Sequence, residues 1–240
     1  MRDKLKDREY FLALIKECNE IISITRENFR NNVVRPERVP SVKYGVYRSK
    51  KDIWLSRYSM DDPVADLVAP CREFIHDYLS IFNMDSYNEI LWLLSVSVLM
   101  DIDDSTFNAL ANAIQTTDNG IQAAGTGTND WMLNYLINYR IPSVEYKSSP
   151  SMLHKPYLNL RHVVEKSENK PADMYRYVTK IWYREHKDDY WYDNHKSKSN
   201  TYCGYWCVEA GAVAKILGLD DSKLKDSQYY PYDLVHWRDS

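Results

Sequence analysis

Residues 10–29 read Tyr10-Phe11-Leu12-Ala13-Leu14-Ile15-Lys16-Glu17-Cys18-Asn19-Glu20-Ile21-Ile22-Ser23-Ile24-Thr25-Arg26-Glu27-Asn28-Phe29. Phe11, Leu14, Ile15, Cys18, Ile21, Ile22, Thr25 and Phe29 recur at i, i+3, i+4 and i+7, with charges on the other side, which is the pattern of an amphipathic helix. The spacing predicts one helix from Asp3 to Asn31, broken by Arg35-Pro36. A second, less regular helix is expected over Ser41–Ser59, using Val42, Val46, Ile53, Trp54 and Tyr58.

The same period continues along the chain. Asp61-Asp62-Pro63 is a start signal, Asp62 as cap and Pro63 as first helical residue, for a helix toward Ile81 with Leu67, Phe74, Tyr78 and Ile81 facing inward. Pro70 is expected to kink or split it. Ser86-Tyr87-Asn88-Glu89 is a capping box before an apolar run that ends near Met100. After the joint Asp101-Ile102-Asp103-Asp104-Ser105, helices are expected over Thr106–Thr116 and Trp131–Arg140, with Asn119-Gly120 and Gly125-Thr126-Gly127-Thr128 as punctuation between them. Beyond a Pro- and Ser-bearing linker, Ile141–Pro156, come helices over Tyr157–Ser167 and Ala172–Tyr190, the latter with Met174, Val178, Ile181, Trp182 and Glu185 on one face. The last long helix is read as Thr201–Leu217, capped by Asn200 and closed by Gly218 and Leu219 in a Schellman turn. No stretch sustains a period of two, and 7 Gly and 9 Pro are too few for a turn-rich β-fold. The expected fold is all-α, a bundle of roughly eight to ten helices.

Composition narrows the function. There are 31 Lys+Arg against 34 Asp+Glu, a net charge of -3, so the chain lacks the basic excess of a nucleic-acid binder and suits a basic partner instead. Direct nucleic-acid binding is not expected. The apolar run Ile90–Met100 is too short to span a bilayer, so no membrane insertion is expected. The first residues alternate charge with no apolar core of a signal peptide, and Cys18, Cys71, Cys203 and Cys207 are read as reduced cytoplasmic thiols. The unusual feature is 20 Tyr and 7 Trp, side chains that bury a ring, present a polar tip and are favoured at interfaces.

Catalytic patterns are weak. His186, His195, Cys203 and Cys207 lie near one another in sequence, but the spacing is not that of a zinc ribbon or finger. Asp193-Asn194-His195 offers one base with no carboxylate cluster at a recognisable spacing; a metal-dependent hydrolase using His195 and nearby carboxylates is kept as an alternative, as is a helical scaffold. No nucleotide-binding fingerprint is present, and no cofactor or metal is expected. Asp101, Asp103 and Asp104 read either as helix caps or as a phosphate mimic offered to a basic groove. Glu209, among Ala210, Gly211, Ala212 and Ala214, reads as a structural hydrogen-bond hub.

The C-terminal stretch Tyr202-Cys203-Gly204-Tyr205-Trp206-Cys207-Val208-Glu209-Ala210, continued by Ala214-Lys215-Ile216-Leu217-Gly218-Leu219-Asp220-Asp221-Ser222 and by Tyr229-Tyr230-Pro231-Tyr232-Asp233-Leu234-Val235-His236, resembles the C-terminal signature of the PoNi immunity proteins. Arg2-Asp3-Lys4-Leu5-Lys6-Asp7-Arg8-Glu9-Tyr10-Phe11 resembles the start of that family's N-terminal domain. The resemblance implies an all-helical, non-catalytic cytoplasmic inhibitor of a PoNe-type DNase toxin delivered between competing bacteria, including by type VI secretion. It divides the chain into a region of residues 1–125 and one of residues 126–240, expected to pack as one unit. Tyr205, Trp206, Glu209, Tyr230, Pro231 and Asp233 are expected to hold the last helix and the tail against the core. Toxin contacts are expected at Asp101, Asp103 and Asp104, and at a second patch of Asp188, Asp189, Tyr190, Tyr192 and Asp193.

Overall fold

The computed structural model describes residues 1–82, 87–116, 130–151 and 155–238. Ser86 of the capping box, the Asn119-Gly120 and Gly125–Thr128 punctuation, the 125/126 boundary and part of the 141–156 linker lie outside the described residues. Among the described residues the fold is all-α, with ten helices and no strand. No helix there is long and apolar enough to cross a membrane. Two compact units are formed, one of Met1–Phe82 with Asp193–Gly204, the other of Asn83–Tyr192 with Tyr205–Ser240.

The first unit contains α1 (Arg8–Arg30), α2 (Val39–Ser59) and α3 (Val68–Leu79). Asp7 caps α1 by accepting from the Tyr10 amide at 2.9 Å, so the helix starts later than Asp3. Its buried stripe is Phe11, Leu14, Cys18 and Ile22, narrower than the expected face, since Ile21 is exposed. On α2 the buried apolar residues are Tyr47, Trp54, Leu55 and Tyr58, joined by Ser49, Ser56 and Ser59, whereas Val46 and Ile53 are only half-buried. Trp54 stacks on Tyr58, meets Phe74 edge-on and donates its indole N–H to the Leu67 carbonyl at 2.9 Å. The expected helix is split in two just ahead of Pro70. The proline sits in the first turn of α3, where an amide has no intrahelical acceptor, and the preceding Val64–Leu67 is a separate 3-10 turn. Asp62 does not cap; its carboxylate accepts from Arg57 at 2.8 Å.

The expected helix over Thr201–Leu217 is ten residues long in the structure, Val208–Leu217. Residues 201–207 form no regular element, with Gly204 at φ 116. Their polar groups bond to distant residues instead of along a helix. The Tyr202 amide donates to the Tyr10 hydroxyl at 3.0 Å, the Cys203 carbonyl accepts from Ser59 Oγ at 2.8 Å, and the Tyr202 hydroxyl donates to the Asp3 carboxylate. Asn200 caps no helix and donates to Glu17 at 2.6 Å.

The second unit is built on α4 (Tyr87–Leu99), nearly all of whose side chains are buried. Against it pack α5 (Asp104–Thr116), α6 (Trp131–Asn138) and α9 (Val208–Leu217). Ser95 and Ser97, buried in α4, donate back to the carbonyls of Leu91 and Leu93 at 2.7 Å, so neither hydroxyl is orphaned. The terminal carbonyls of α4 also find donors: Lys215 Nζ reaches Val98 and Leu99 at 3.1 and 3.0 Å, and Trp237 Nε1 reaches Leu99 at 2.9 Å. Further along, α7 (Leu158–Glu165) precedes α8 (Lys170–Arg176), which continues as a π-helix over Tyr177–Trp182 and a last α-turn, Tyr183–Glu185. The expected single α-helix over 172–190 is thus interrupted, and Tyr177 is buried beside Met174, Val178 and Trp182. Helix α10 (Tyr232–His236) lies in the C-terminal tail.

Helix α9 closes as expected. Gly218 is left-handed at φ 57, its amide donates to Lys215 O and the Leu219 amide to Ala214 O, completing a Schellman turn. Gly211 is a close-approach site. A Cβ there would lie 3.0 Å from Pro231 Cγ and 3.4 Å from Leu99 Cδ1. Gly211→Val is therefore expected to cost about 1–3 kcal/mol through overpacking, and Gly218→Ala about 1 kcal/mol through left-handed strain with open space around it. Urea denaturation of the two variants checks both; a Gly211→Val protein as stable as wild type would show that α9 is not held at this distance.

Candidate functional site

Helix α9 carries Glu209 into the interior of the second unit. Trp182 Nε1 donates to its carboxylate at 2.5 Å, and Cys207 Sγ lies 3.5 Å away. Burial pushes the Glu209 carboxyl above its ordinary range, against the opposing positive charge of His186 and these hydrogen bonds. His186 is itself buried, with Nδ1 2.7 Å from the Trp182 carbonyl and Nε2 3.4 Å from the Tyr157 hydroxyl. Tyr157 donates on to Asn88 at 3.2 Å. Around this polar chain the rings of Trp182, Tyr183, Trp191, Tyr205 and Tyr229 lie within contact of one another. Sequence reading finds Glu209 as a hub but not its partners, because Asn88, Tyr157 and His186 are far apart in the chain.

The other signature residues mostly face inward too. Tyr205, Trp206, Tyr230 and Pro231 are buried, while Asp233 is exposed in the first turn of α10. Tyr230 donates to Asp221 at 2.5 Å, and His236 Nε2 lies 2.8 Å from the second oxygen of the same carboxylate. Pro231 packs on Gly211. The tail is thus tied to the end of α9 by a buried carboxylate, a pairing that sequence reading does not reveal.

The first acidic patch is exposed, and its carboxylates have structural work. Asp101, left-handed at φ 48, accepts from Lys215 at 2.7 Å and from Arg238 at 3.4 Å. Asp103 caps α5, accepting from the Thr106 amide at 3.0 Å and Ser105 Oγ at 2.5 Å. Asp104, with 85 % of its side chain accessible, pairs with Arg140, whose guanidinium lies 4.6 Å from the Phe107 ring. Three carboxylates there meet three cations, so the patch has little net field.

The second patch is less neutralised. Asp188 is exposed, and Tyr190 is 76 % exposed. Asp189 is half-buried, 3.8 Å from His186; burial raises its pKa, the His186 charge lowers it and Asp188 raises it. Tyr192 stacks on Tyr183 at 4.5 Å. Asp193, left-handed at φ 59, belongs to the first unit and pairs with Lys196 at 2.7 Å.

His195 sits in the first unit, its ring edge-on to Tyr202. Among the described residues no group of three His, Cys, Asp or Glu side chains converges as a metal site. Burial pushes the Cys18 thiol up to about 12, with Asp52 and Glu17 adding to it, and raises Cys71, Cys203 and Cys207 as well, which leaves little thiolate for nucleophilic chemistry.

Family comparison assigns both halves of the chain. Residues 2–112 match the family described as PoNe immunity protein (PoNi), N-terminal, and residues 128–234 match PoNe immunity proteins (PoNi), C-terminal. The chain belongs to the PoNi family. Among solved structures, protein PA2201 from Pseudomonas aeruginosa is similar in fold, with a TM-score of 0.72 over 98% of this chain and 89% of that one, at 18% identity. No curated protein matches.

In this PoNi protein the C-terminal family match contains the Glu209 hub, the π-helix and the Asp221–Tyr230 tie, whereas α1 to α4 fall in the N-terminal match. The hub makes a pH-dependent contribution of definite sign. Its carboxyl holds a proton more tightly folded than unfolded, so this group destabilises the fold as pH rises above 4.5, the ordinary glutamate value, and not below it. Asp189 acts in the same direction. The stability difference between Glu209→Gln and wild type is expected to grow in favour of the variant from pH 4.5 toward neutrality, measured as urea midpoints. A difference independent of pH would show that Glu209 titrates alike in both states.

Proposed function

We propose that this chain is an immunity protein that protects the cell by binding a cognate PoNe-type DNase toxin and stopping it from cutting DNA. The observation that carries the reading is the PoNi family match across both halves of the chain, residues 2–112 and 128–234. Inhibition is by stoichiometric binding, without cofactor, metal or chemical step, and takes place in the cytoplasm against toxin delivered by competing bacteria through secretion systems including type VI.

For the contact surface, the observations favour the patch Asp188, Asp189, Tyr190 and Tyr192 over Asp101, Asp103 and Asp104. Tyr190 is a large ring mostly outside the core and next to an exposed carboxylate, which is the make-up of an interface anchor. The carboxylates of the first patch are spent on Lys215, Arg238, Arg140 and the α5 amides, and can steer a partner only weakly.

The test is co-purification with the toxin encoded beside this chain, followed by a DNA-cleavage assay of the complex. A stable complex that no longer cuts DNA is expected. A Tyr190→Ala chain should bind about tenfold or more weakly, the loss of one interface anchor of 1–2 kcal/mol, and Asp188→Lys should slow association most at low salt. The absence of any complex with the wild-type chain, or a complex that still cuts, would overturn the reading.

A further inference from the structure

Within the second unit an open groove of about 1080 Å³ runs between α7 and the continuous α8–π segment. Such a volume exceeds what a small ligand needs and suits an extended chain segment. Five cations line it, Lys155, Arg161, Lys166, Arg176 and Arg184, against three carboxylates. Two of the three carboxylates, Glu165 and Glu185, are matched by cations already, and Asp173 accepts from Ser167 Oγ at 2.7 Å. Glu165 lies 2.9 Å from Arg161, Glu185 lies 3.5 Å from Lys155 and 3.8 Å from Arg184, and Asp173 lies 3.7 Å from His162. Arg161 is committed besides to the Ser149 carbonyl and Ser151 Oγ, and lies over Trp131.

Two positive charges are left over. Lys166 and Arg176 are exposed, and among the described residues neither has an acidic partner. This is a local excess of positive charge on a chain whose net charge is -3. The groove also has an apolar strip, with Leu158 44 % exposed and Ile181 half-buried. One wall is the π-helix Tyr177–Trp182, a high-energy backbone form that recurs at functional sites.

We infer that this groove docks an acidic segment of the toxin, whose carboxylates meet Lys166 and Arg176 while an apolar side chain rests on Leu158 and Ile181. The inference rests on the toxin-binding reading above. Nucleic acid fits the groove poorly. A duplex presents a phosphate about every 1.7 Å of its axis, far more charge than two spare cations can meet, and the acidic remainder of the chain repels it. A segment with two or three carboxylates and one apolar anchor matches both the charge and the strip.

The experiment titrates the full-length wild type, Lys166→Ala/Arg176→Ala and Lys166→Glu/Arg176→Glu against the purified cognate toxin at low and high salt, with DNA cleavage as a second readout. Both side chains are exposed, so equal urea midpoints are expected for the three proteins. The alanine pair should bind about tenfold more weakly than wild type at low salt, as two ion pairs are lost, with a shallower salt dependence. The glutamate pair should bind about a hundredfold more weakly. Toxin bound equally by all three overturns the groove and leaves the immunity reading standing. No binding by wild type overturns both. A wild-type chain that binds a labelled DNA duplex, and loses it in the alanine pair, also overturns the inference. If the glutamate pair unfolds, the alanine pair decides alone.

Discussion

Lys215 Nζ donates to the carbonyls of Val98 and Leu99 and, at the same time, to the Asp101 carboxylate. This contact closes the end of α4, a helix with hardly any face left to water. A buried helix end without donors costs about 1–3 kcal/mol for each orphaned carbonyl; the amides of Met100, Ile102 and Asp101 serve Val96, Ser97 and, at 3.4 Å, Val98, while Leu99 takes its donors from Lys215 and Trp237. Those side-chain donors come from α9 and the tail, so α9 has to lie directly on α4. That approach is possible because Ala210, Gly211, Ala212 and Ala214 present almost no side chain, and Pro231 then fills the space over Gly211. The same placement turns Glu209 inward. A buried carboxylate demands partners, and Trp182 on the interrupted helix after α7 supplies a hydrogen bond, with Cys207 Sγ 3.5 Å away. One helix that approaches its neighbour through small residues thus sets the interior, the polar chain and the course of the tail in the second unit.

Charge is sorted in that unit in a way the net value hides. The exposed Asp103 caps α5, while Asp101 and Asp104 stand beside cations, Lys215 and Arg238 for the first and Arg140 for the second. The acidic, ring-bearing stretch Asp188–Tyr192 keeps more of its field, and the groove beside α7 keeps two cations over. A PoNi protein with both signs exposed can be matched by a partner that carries a basic surface and an acidic segment. On the proposed function, specificity would lie in the arrangement of the two signs rather than in their sum.

Much of the helical frame was legible because period and caps are local. The stripe Phe11, Leu14, Cys18 and Ile22, the apolar run of α4 and the Gly218-Leu219 stop each depend on residues within one or two turns of one another. Misreadings came where distant partners competed with the helix. Residues 201–207 carry a helix-compatible sequence, yet Tyr10 and Ser59 take up their backbone groups and Gly204 bends the chain. The split at Pro70, by contrast, was legible, because a proline fits only the first turn of a helix and α3 begins just before it. The π-helix left no mark in the pattern, since one extra residue in a turn alters the spacing only slightly.

The sequence by itself determined the class of fold, the main helices, the closing turn of α9 and, through its signature stretches, the family. These follow from the spacing of apolar side chains and from turn chemistry, which act over a few residues. Only the tertiary structure decided which charges remain available to a partner. Asp101 is neutralised by Lys215 and Arg238, more than a hundred residues away, while Lys166 and Arg176 face a groove whose carboxylates are already taken. The state of a charge depends on the nearest opposite charge in space, and that distance is set by packing.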